Sequence, residues 1–175
     1  ARPVEPMPPL RFEYEVGVRG RGRNGNTISG DLGACFRGPE DRLYVMLCDG
    51  MGTGESAAEE SRAAVSVLTG LLRAGASAEC ALQLLNGAYT LRADGAFATV
   101  DLLQVSLATG ECVLYKWGAA PSYLRQGQRV KKIGTATIPP GFGVGGDHAA
   151  GQTRLSLRGE EMLILLSDGA QSEET

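Results

Sequence analysis

The chain has 175 residues, 43% of them hydrophobic and 21% charged, with a net charge of −3 and a pI near 5.3. This length and composition suit one globular domain with its own core and differ from those of a disordered chain. The acidic balance, with no run of Lys and Arg, argues against nucleic acid as the main partner. No apolar run reaches the roughly 18 residues of a membrane helix, so no membrane contact is predicted for this segment.

Residues 1–10 hold four of the eight prolines and predict a linker or extended arm, which leaves residues 11–175 as the domain. The alternation in residues 12–18 predicts a strand, and Gly, Asn and Ser in residues 20–30 predict a loop. The segments DLGACFR and RLYVMLCD flank GPED and predict a hairpin.

Residues 54–74 carry apolar or small side chains at helical spacing, and Gly75 suits the C-terminus of that helix. Ser77 then fits as the N-cap of a second helix that extends through Tyr89. Since the two helices are consecutive rather than alternating with strands, they predict an antiparallel sheet with helices on its outside.

Beyond Gly95 the pattern changes to strands. Three hairpins are predicted, each from two strand-like runs around a turn. They are FATVDLLQVSL with ECVLYKW, PSYLR with RVKKI, and TRLSL with EMLILLS.

The cysteines Cys35, Cys48, Cys80 and Cys112 stand singly with no CxxC pair, which argues against a zinc site of thiolates. Cys48 and Cys112 lie in apolar runs and are predicted to be buried. Free thiols favour a reducing compartment, so we expect a cytoplasmic domain. Because the chain begins with Ala, we expect it to be part of a longer protein, whose other segments could include a membrane anchor.

The segment GMGTGESA after the second strand contains Gly52-x-Gly54-x-x-Ala57, which matches the dinucleotide fingerprint. That fingerprint requires another strand ending in an acid about 20 residues later, and this position falls inside the predicted helix. Asp49 at the mouth of the turn would also repel a pyrophosphate. A dinucleotide site is therefore the weakest of the functional alternatives.

Three aspartates, Asp31, Asp49 and Asp168, each lie beside a glycine at the end of a strand-like run. Asp-Gly is a common turn pair, so each alone is weak evidence of a site. Together, three carboxylates at sheet edges indicate oxygen ligands for a hard cation such as Mg²⁺ or Mn²⁺.

The motifs SGD, DGMGTGESAAEES, FATVDLLQVSL, WGAAPSYL, IPPGFGV and LLSDG occur in this order. From about residue 11 to its end, the chain resembles the SpoIIE-type branch of the PPM (type 2C) metal-dependent protein serine/threonine phosphatases. The resemblance implies an α+β fold, an αββα sandwich of mainly antiparallel sheets with outer helix pairs. The segments FATVDL and WGAAPSYL are predicted to be core strands and a turn without chemistry.

The resemblance also implies roles for single residues. Asp49 would bridge two Mn²⁺ or Mg²⁺ ions, the Gly50 carbonyl and Asp31 would bind one of them, and Asp168 would bind the other. Two such ions lower the pKa of a shared water that attacks a phosphorylated serine or threonine. The implied substrate is a phosphorylated anti-anti-sigma-factor-like protein in sporulation or stress control. The alternative is a catalytically silent binding or assembly module of the same fold.

The sequence departs from the wider family at two places. The first is Met51, which stands where many relatives have His. The one histidine, His148, lies in a loop-like segment and is predicted to be solvated. The chain ends seven residues after Asp168, so we expect it to lack the final strand whose aspartates complete the family's metal site. The sheet edge left free would be a site for homodimerisation or strand exchange.

The helix of residues 54–74 begins three residues after Met51. By resemblance, partners or adjoining domains would control metal-ligand geometry by shifting this helix. The alternative is an ordinary amphipathic helix that packs on the sheet.

Overall fold

The computed structural model describes residues 12–20, 28–134, 136–142 and 149–170. Within them the chain forms eight strands, two α-helices and a short 3₁₀ turn. In chain order these are β1 (Asp31–Arg37), β2 (Arg42–Gly50), α1 (Gly54–Arg73), α2 (Ala78–Thr90), β3 (Ala98–Ser106), β4 (Glu111–Trp117), β5 (Ser122–Gln126), β6 (Arg129–Ile133), β7 (Gly151–Ser156), β8 (Glu161–Ile164) and the 3₁₀ turn Asp168–Ala170.

The strands form two antiparallel sheets. The five-stranded sheet has the order β1-β2-β3-β4-β7, and the three-stranded sheet has the order β6-β5-β8. Strand alternation gives the central strands one face for each of two apolar cores. One core joins the five-stranded sheet to the helices through residues such as Met46, Leu68 and Trp117. The other fills the space between the sheets through residues such as Leu103 and Leu124.

The helix pair follows the predicted signals. The backbone N–H groups of Gly75 and Ala76 donate to carbonyls of the last turn of α1, and Gly75 has a φ of 90°. This left-handed conformation suits glycine and ends the helix. Ser77 caps α2 by accepting a hydrogen bond from the Cys80 N–H at 3.2 Å. The predicted α+β fold, with antiparallel sheets and a consecutive helix pair, is confirmed.

The third predicted hairpin is wrong. β7 pairs with β4 in the five-stranded sheet, whereas β8 pairs with β5 in the three-stranded sheet. The turn signal between them is real, since Gly159 and Glu160 both have positive φ, at 109° and 63°. This turn carries the chain from one sheet to the other, and Leu155 of β7 and Leu163 of β8 both pack on the core between the sheets.

The strand predicted at residues 12–18 is also wrong, because this segment forms no strand. Among the described residues, it makes one backbone hydrogen bond, from the Phe12 N–H to the Leu107 carbonyl at 3.2 Å. Phe12 packs on the core between the sheets, whereas residues 13–18 are exposed. The predicted linker at 1–10 and His148 lie outside the described residues, as does most of the loop at 20–30. No helix in the described part of the chain is long and apolar enough to cross a membrane.

Candidate functional site

The three predicted aspartates converge at one end of the space between the sheets. Asp31 and Asp49 are register partners at neighbouring ends of β1 and β2. Asp168 opens the 3₁₀ turn four residues after β8 ends, so it arrives from the three-stranded sheet. Asp31 and Asp168 are both close enough to the Asp49 carboxyl to raise its pKa. The fold therefore collects one acidic side chain from each of three separate segments.

The electrostatics of this cluster are unfavourable to three free carboxylates. Burial, together with repulsion from the neighbouring Asp31 and Asp168, raises the pKa of Asp49 to about 7. Asp31 and Asp49 are partly buried, and Asp168 is exposed. A proton or a cation at this place would relieve the repulsion.

Two of the three adjacent glycines are required by close packing. A Cβ on Gly50 would lie 1.8 Å from the backbone oxygen of Ala57 in the first turns of α1. A Cβ on Gly30 would lie 2.9 Å from the Ala57 Cβ. Gly169 differs, since a Cβ there would meet nothing within 4 Å. The position of α1 is therefore tied directly to the backbone of Gly50, although control by shifts of α1 remains a prediction.

Two serines support Asp31 and were not singled out by the sequence. The Ser167 hydroxyl donates to Asp31 Oδ2 at 2.8 Å and so joins the 3₁₀ turn to β1. The Ser29 Oγ accepts a hydrogen bond from the Asp31 N–H at 3.2 Å. The available signal was the position of both serines within the SGD and SDG motifs, directly beside the aspartates.

Apolar side chains border the cluster on the side of β3. Met51 is 52% exposed, and its N–H donates to the Phe97 carbonyl at 2.9 Å. Phe97 stacks edge to face with Phe142 at a centroid distance of 4.9 Å. The loop that carries Phe142 is fixed to α2 by a hydrogen bond from the Gly141 N–H to Asn86 Oδ1 at 2.8 Å.

The donor chemistry of the cluster suits a hard divalent cation, because carboxylate and carbonyl oxygens are the ligands that Mg²⁺ and Mn²⁺ prefer. The geometry is incomplete: in the described part of the chain, no group of three or more His, Cys, Asp or Glu side chains stands ready to hold a metal ion. The residues therefore fit the cation by donor type and charge rather than as a preformed cage.

A family model described as "Stage II sporulation protein E (SpoIIE)" matches residues 39–174. The chain belongs to the SpoIIE family. Among curated relatives, it is 28% identical over 159 residues to stage II sporulation protein E of Priestia megaterium. That match covers 90% of this chain and 27% of the relative.

Solved structures agree with this assignment to the SpoIIE family. The structure of the PP2C phosphatase domain and a fragment of the regulatory domain of SpoIIE from Bacillus subtilis matches with a TM-score of 0.76 and 27% identity. This match covers 85% of the present chain and 44% of the solved one. A structure of RsbX in complex with magnesium matches at 17% identity and a TM-score of 0.68, over 88% of this chain and 73% of that one, and shows likeness of fold. The fold is that of a PP2C-type serine/threonine phosphatase domain.

Proposed function

We propose that this chain carries the active site of a Mn²⁺- or Mg²⁺-dependent protein phosphatase that hydrolyses phosphoserine or phosphothreonine. The observation that carries the proposal is the convergence of Asp31, Asp49 and Asp168 at one end of the space between the sheets. Three mutually repelling carboxylates raise the free energy of the cluster, and binding of divalent cations would offset that repulsion. The magnesium in the RsbX structure, which has the same fold, supports this choice of ion.

Each residue has a role in this proposal. Asp49 would bridge two cations, the Gly50 carbonyl and Asp31 would hold one of them, and Asp168 would hold the other. When bound, such a pair of ions supplies an activated water and neutralises charge on the phosphoryl group. Ser167 orients Asp31 by its hydrogen bond and keeps the 3₁₀ turn next to β1.

The proposed substrate is a phosphorylated regulatory protein of the anti-anti-sigma-factor type. Support comes from family membership and from two exposed apolar side chains that a protein surface could contact. They are Met51, two residues after Asp49, and Phe142, which stacks on Phe97. A second copy of the chain is a further proposed partner, because β8 is an outer strand of the three-stranded sheet and carries the exposed Met162. Light scattering of the purified chain over a concentration series tests that dimer.

The test of the proposed function is hydrolysis of a phosphoserine peptide and of a phosphorylated anti-anti-sigma-factor-type protein, with Mn²⁺, with Mg²⁺ and with a chelator. The Asp49→Asn variant should lose turnover. The matched control is Glu55→Gln, which changes an exposed carboxylate at the start of α1 that pairs with Arg62 on the surface. This control variant should keep its turnover. Metal-dependent turnover that is equal in Asp49→Asn and wild type would overturn the proposed site.

A chain that binds the phosphoprotein but never turns it over would favour the alternative, a catalytically silent binding module. The observation in favour of this alternative is the lack of a ready-made metal cage among the described residues. The same hydrolysis assay, combined with a binding measurement on the phosphoprotein, separates the two functions.

A further inference from the structure

Lys116, Asp101 and Ser122 form a buried polar unit between the two sheets. Lys116 is 2% exposed, and Asp101 and Ser122 are fully buried. The Lys116 ammonium donates to Asp101 Oδ1 and, at 2.9 Å, to Ser122 Oγ. Asp101 and Lys116 are register partners on β3 and β4 of the five-stranded sheet, whereas Ser122 begins β5 of the three-stranded sheet. Lys116 therefore links the two sheets through its side chain.

Stability alone is a poor explanation for this unit. Apolar side chains of similar volume in place of a buried ion pair are often neutral or stabilising. The network is also incompletely satisfied, since Asp101 Oδ2 has no hydrogen-bond partner in the part of the chain that the structure describes. The neighbouring layer between the sheets is apolar, with Leu103 and Leu114 on the same strands. A hydrogen bond has a preferred direction and length, so at this point it can fix the position of one sheet relative to the other more closely than apolar packing does.

The five-stranded sheet places this unit next to the acidic cluster. Asp101 lies two residues after Thr99 on β3, and Thr99 is the register partner of Asp49. Side chains two residues apart on a strand share a face and lie about 7 Å apart. The buried polar unit therefore lies on the same face of the sheet as Asp49, about two residues further into the space between the sheets.

The three-stranded sheet places it next to the other side of the cluster. Tyr123 is the register partner of Ile164, so the Ser122 end of β5 lies beside the residues that follow β8. That segment leads to Asp168. The Lys116–Ser122 bond therefore joins the two sheets where each of them delivers an acid to the cluster.

The lysine stem is enclosed by the chain that follows β6. A Cβ on Gly134, whose φ is 95°, would lie 2.1 Å from the Lys116 Cδ. The Thr137 hydroxyl donates to the Lys116 carbonyl at 3.1 Å and accepts from the Gly118 N–H at 2.9 Å. Both the side chain and the backbone of Lys116 are therefore held in place.

We propose that Lys116, held by Asp101, is a positioning residue for the acidic cluster. Its bond to Ser122 sets the separation of the two sheets, and so the distance of Asp168 from Asp49. The effect on catalysis rests on the proposed phosphatase function, whereas the effect on sheet separation does not.

The test compares wild type with Lys116→Met and with the double variant Asp101→Leu/Lys116→Met. The single variant leaves the Asp101 charge buried without a partner, so it could fail to fold. The double variant removes both charges and is expected to fold. The matched control is Leu114→Ala, a buried change two residues earlier on the same strand that leaves the polar unit intact. Distances are measured by pulsed electron resonance between nitroxides at Cys35 on β1 and at Val130→Cys on β6, with Cys80→Ser to remove the other exposed thiol.

We expect the double variant to unfold near the wild-type midpoint, with a shifted or broadened distance between the nitroxides. Its Mn²⁺ dissociation constant should rise, and its kcat should fall by about 10- to 100-fold with little change in KM, because misplacement of reacting groups acts on the chemical step. Leu114→Ala should have a lower free energy of unfolding but the wild-type nitroxide distance and Mn²⁺ affinity. At temperatures well below its unfolding midpoint, its kcat should also equal that of wild type.

A double variant with wild-type distance distribution and Mn²⁺ affinity would overturn the positioning role, whether or not the chain hydrolyses anything. A wild type without turnover, combined with an altered distance in the double variant, would overturn the phosphatase proposal and retain the role of Lys116 in sheet separation. The two failures are therefore distinguishable.

Discussion

Asp31 and Asp49 are direct register partners across the β1–β2 pair. Like charges directly opposite each other on neighbouring strands are destabilising, and Asp168 adds a third carboxyl to the same place. The cluster therefore lowers the stability of the metal-free fold at any pH where all three groups are ionised.

This arrangement predicts a pH dependence of the metal-free protein. Because the pKa of Asp49 rises from 3.8 to about 7 on folding, its stabilising contribution is complete below pH 3.8 and is lost as pH rises through 7. A shift of this size corresponds to at most ~4 kcal/mol, and screening by solvent at this half-buried site reduces the expected effect to about 1–2 kcal/mol. Asp49→Asn should therefore be more stable than wild type at pH 8 in a chelator, and nearly equal to it at pH 4. Urea unfolding at both pH values measures this, and an identical pH slope in the two proteins would contradict it.

Gly50→Ala should damage the fold severely. The new Cβ would lie 1.8 Å from a backbone oxygen of α1, so the helix itself must move, and no side-chain adjustment relieves the clash. Overpacking of this kind costs about 1–3 kcal/mol or more. Gly169→Ala is the matched control, since its Cβ meets nothing within 4 Å, and should unfold within a degree or two of wild type. Thermal unfolding of both variants decides the point, and equal losses would refute it.

Ser167→Ala should weaken metal binding without unfolding the chain. The variant removes the hydroxyl that donates to Asp31 Oδ2, so Asp31 loses its fixed orientation. Loss of such an outer contact typically lowers metal affinity by about 10- to 100-fold. Calorimetric titration with Mn²⁺ measures the effect, with Ser156→Ala at the far end of β7 as the control. Unchanged affinity in Ser167→Ala would remove this serine from the site.

Arg92 should contribute more to stability than other charged residues at the surface. Its guanidinium makes paired hydrogen bonds to the mostly buried Glu60 of α1 and to Asp94, and lies 5.9 Å from the Tyr89 ring centroid. Arg92→Lys cannot reproduce this fork geometry, and we expect a loss of about 1–2 kcal/mol. The control is Arg62→Lys in the exposed pair with Glu55, where the loss should stay below about 0.5 kcal/mol. Chemical unfolding of the two variants measures both losses in the free energy of unfolding. Equal losses would contradict the larger contribution of Arg92.

The four thiols should separate into two reactivity classes. Cys35 and Cys80 are exposed, whereas Cys48 and Cys112 are buried. Burial raises the pKa of Cys48 to about 12 and that of Cys112 to about 11, which suppresses the thiolate as well as access to it. A colorimetric disulfide reagent should therefore titrate two thiols in the native protein and four in denaturant. Rapid native labelling of all four would contradict the described core.

The elements that the sequence predicted correctly are those with strong local signals. Helix spacing, Gly75 and Ser77 fixed the boundaries of α1 and α2 to within about one residue. The third hairpin failed because a turn signal reports a change of direction and not the sheet that receives the next strand. The strand predicted at 12–18 failed because alternation without a partner strand does not form a ladder.

Only the proximity of the three aspartates can be compared with the structure, and their roles as metal ligands stay a prediction. The aspartates were singled out because glycine neighbours and strand ends are local features, and the structure brings them together. The unit of Asp101 and Lys116 was missed, and the segment that contains Asp101 was predicted to be core without chemistry. One acid and one base inside apolar runs 15 residues apart carry no local signal, since their pairing depends on the register of β3 with β4.

The turn at Gly159 sends β7 and β8 into different sheets, which sets the order in which the molecule can be completed during synthesis. The ribosome delivers the chain from its N-terminus, so all five strands that the structure describes in the helix-covered sheet are available once β7 has emerged. The three-stranded sheet must still wait for β8, and Asp168 emerges only after it. Most of the residues of the hydrophobic core are therefore synthesised before the three carboxyl groups can come together. The acidic cluster forms only when both sheets have formed.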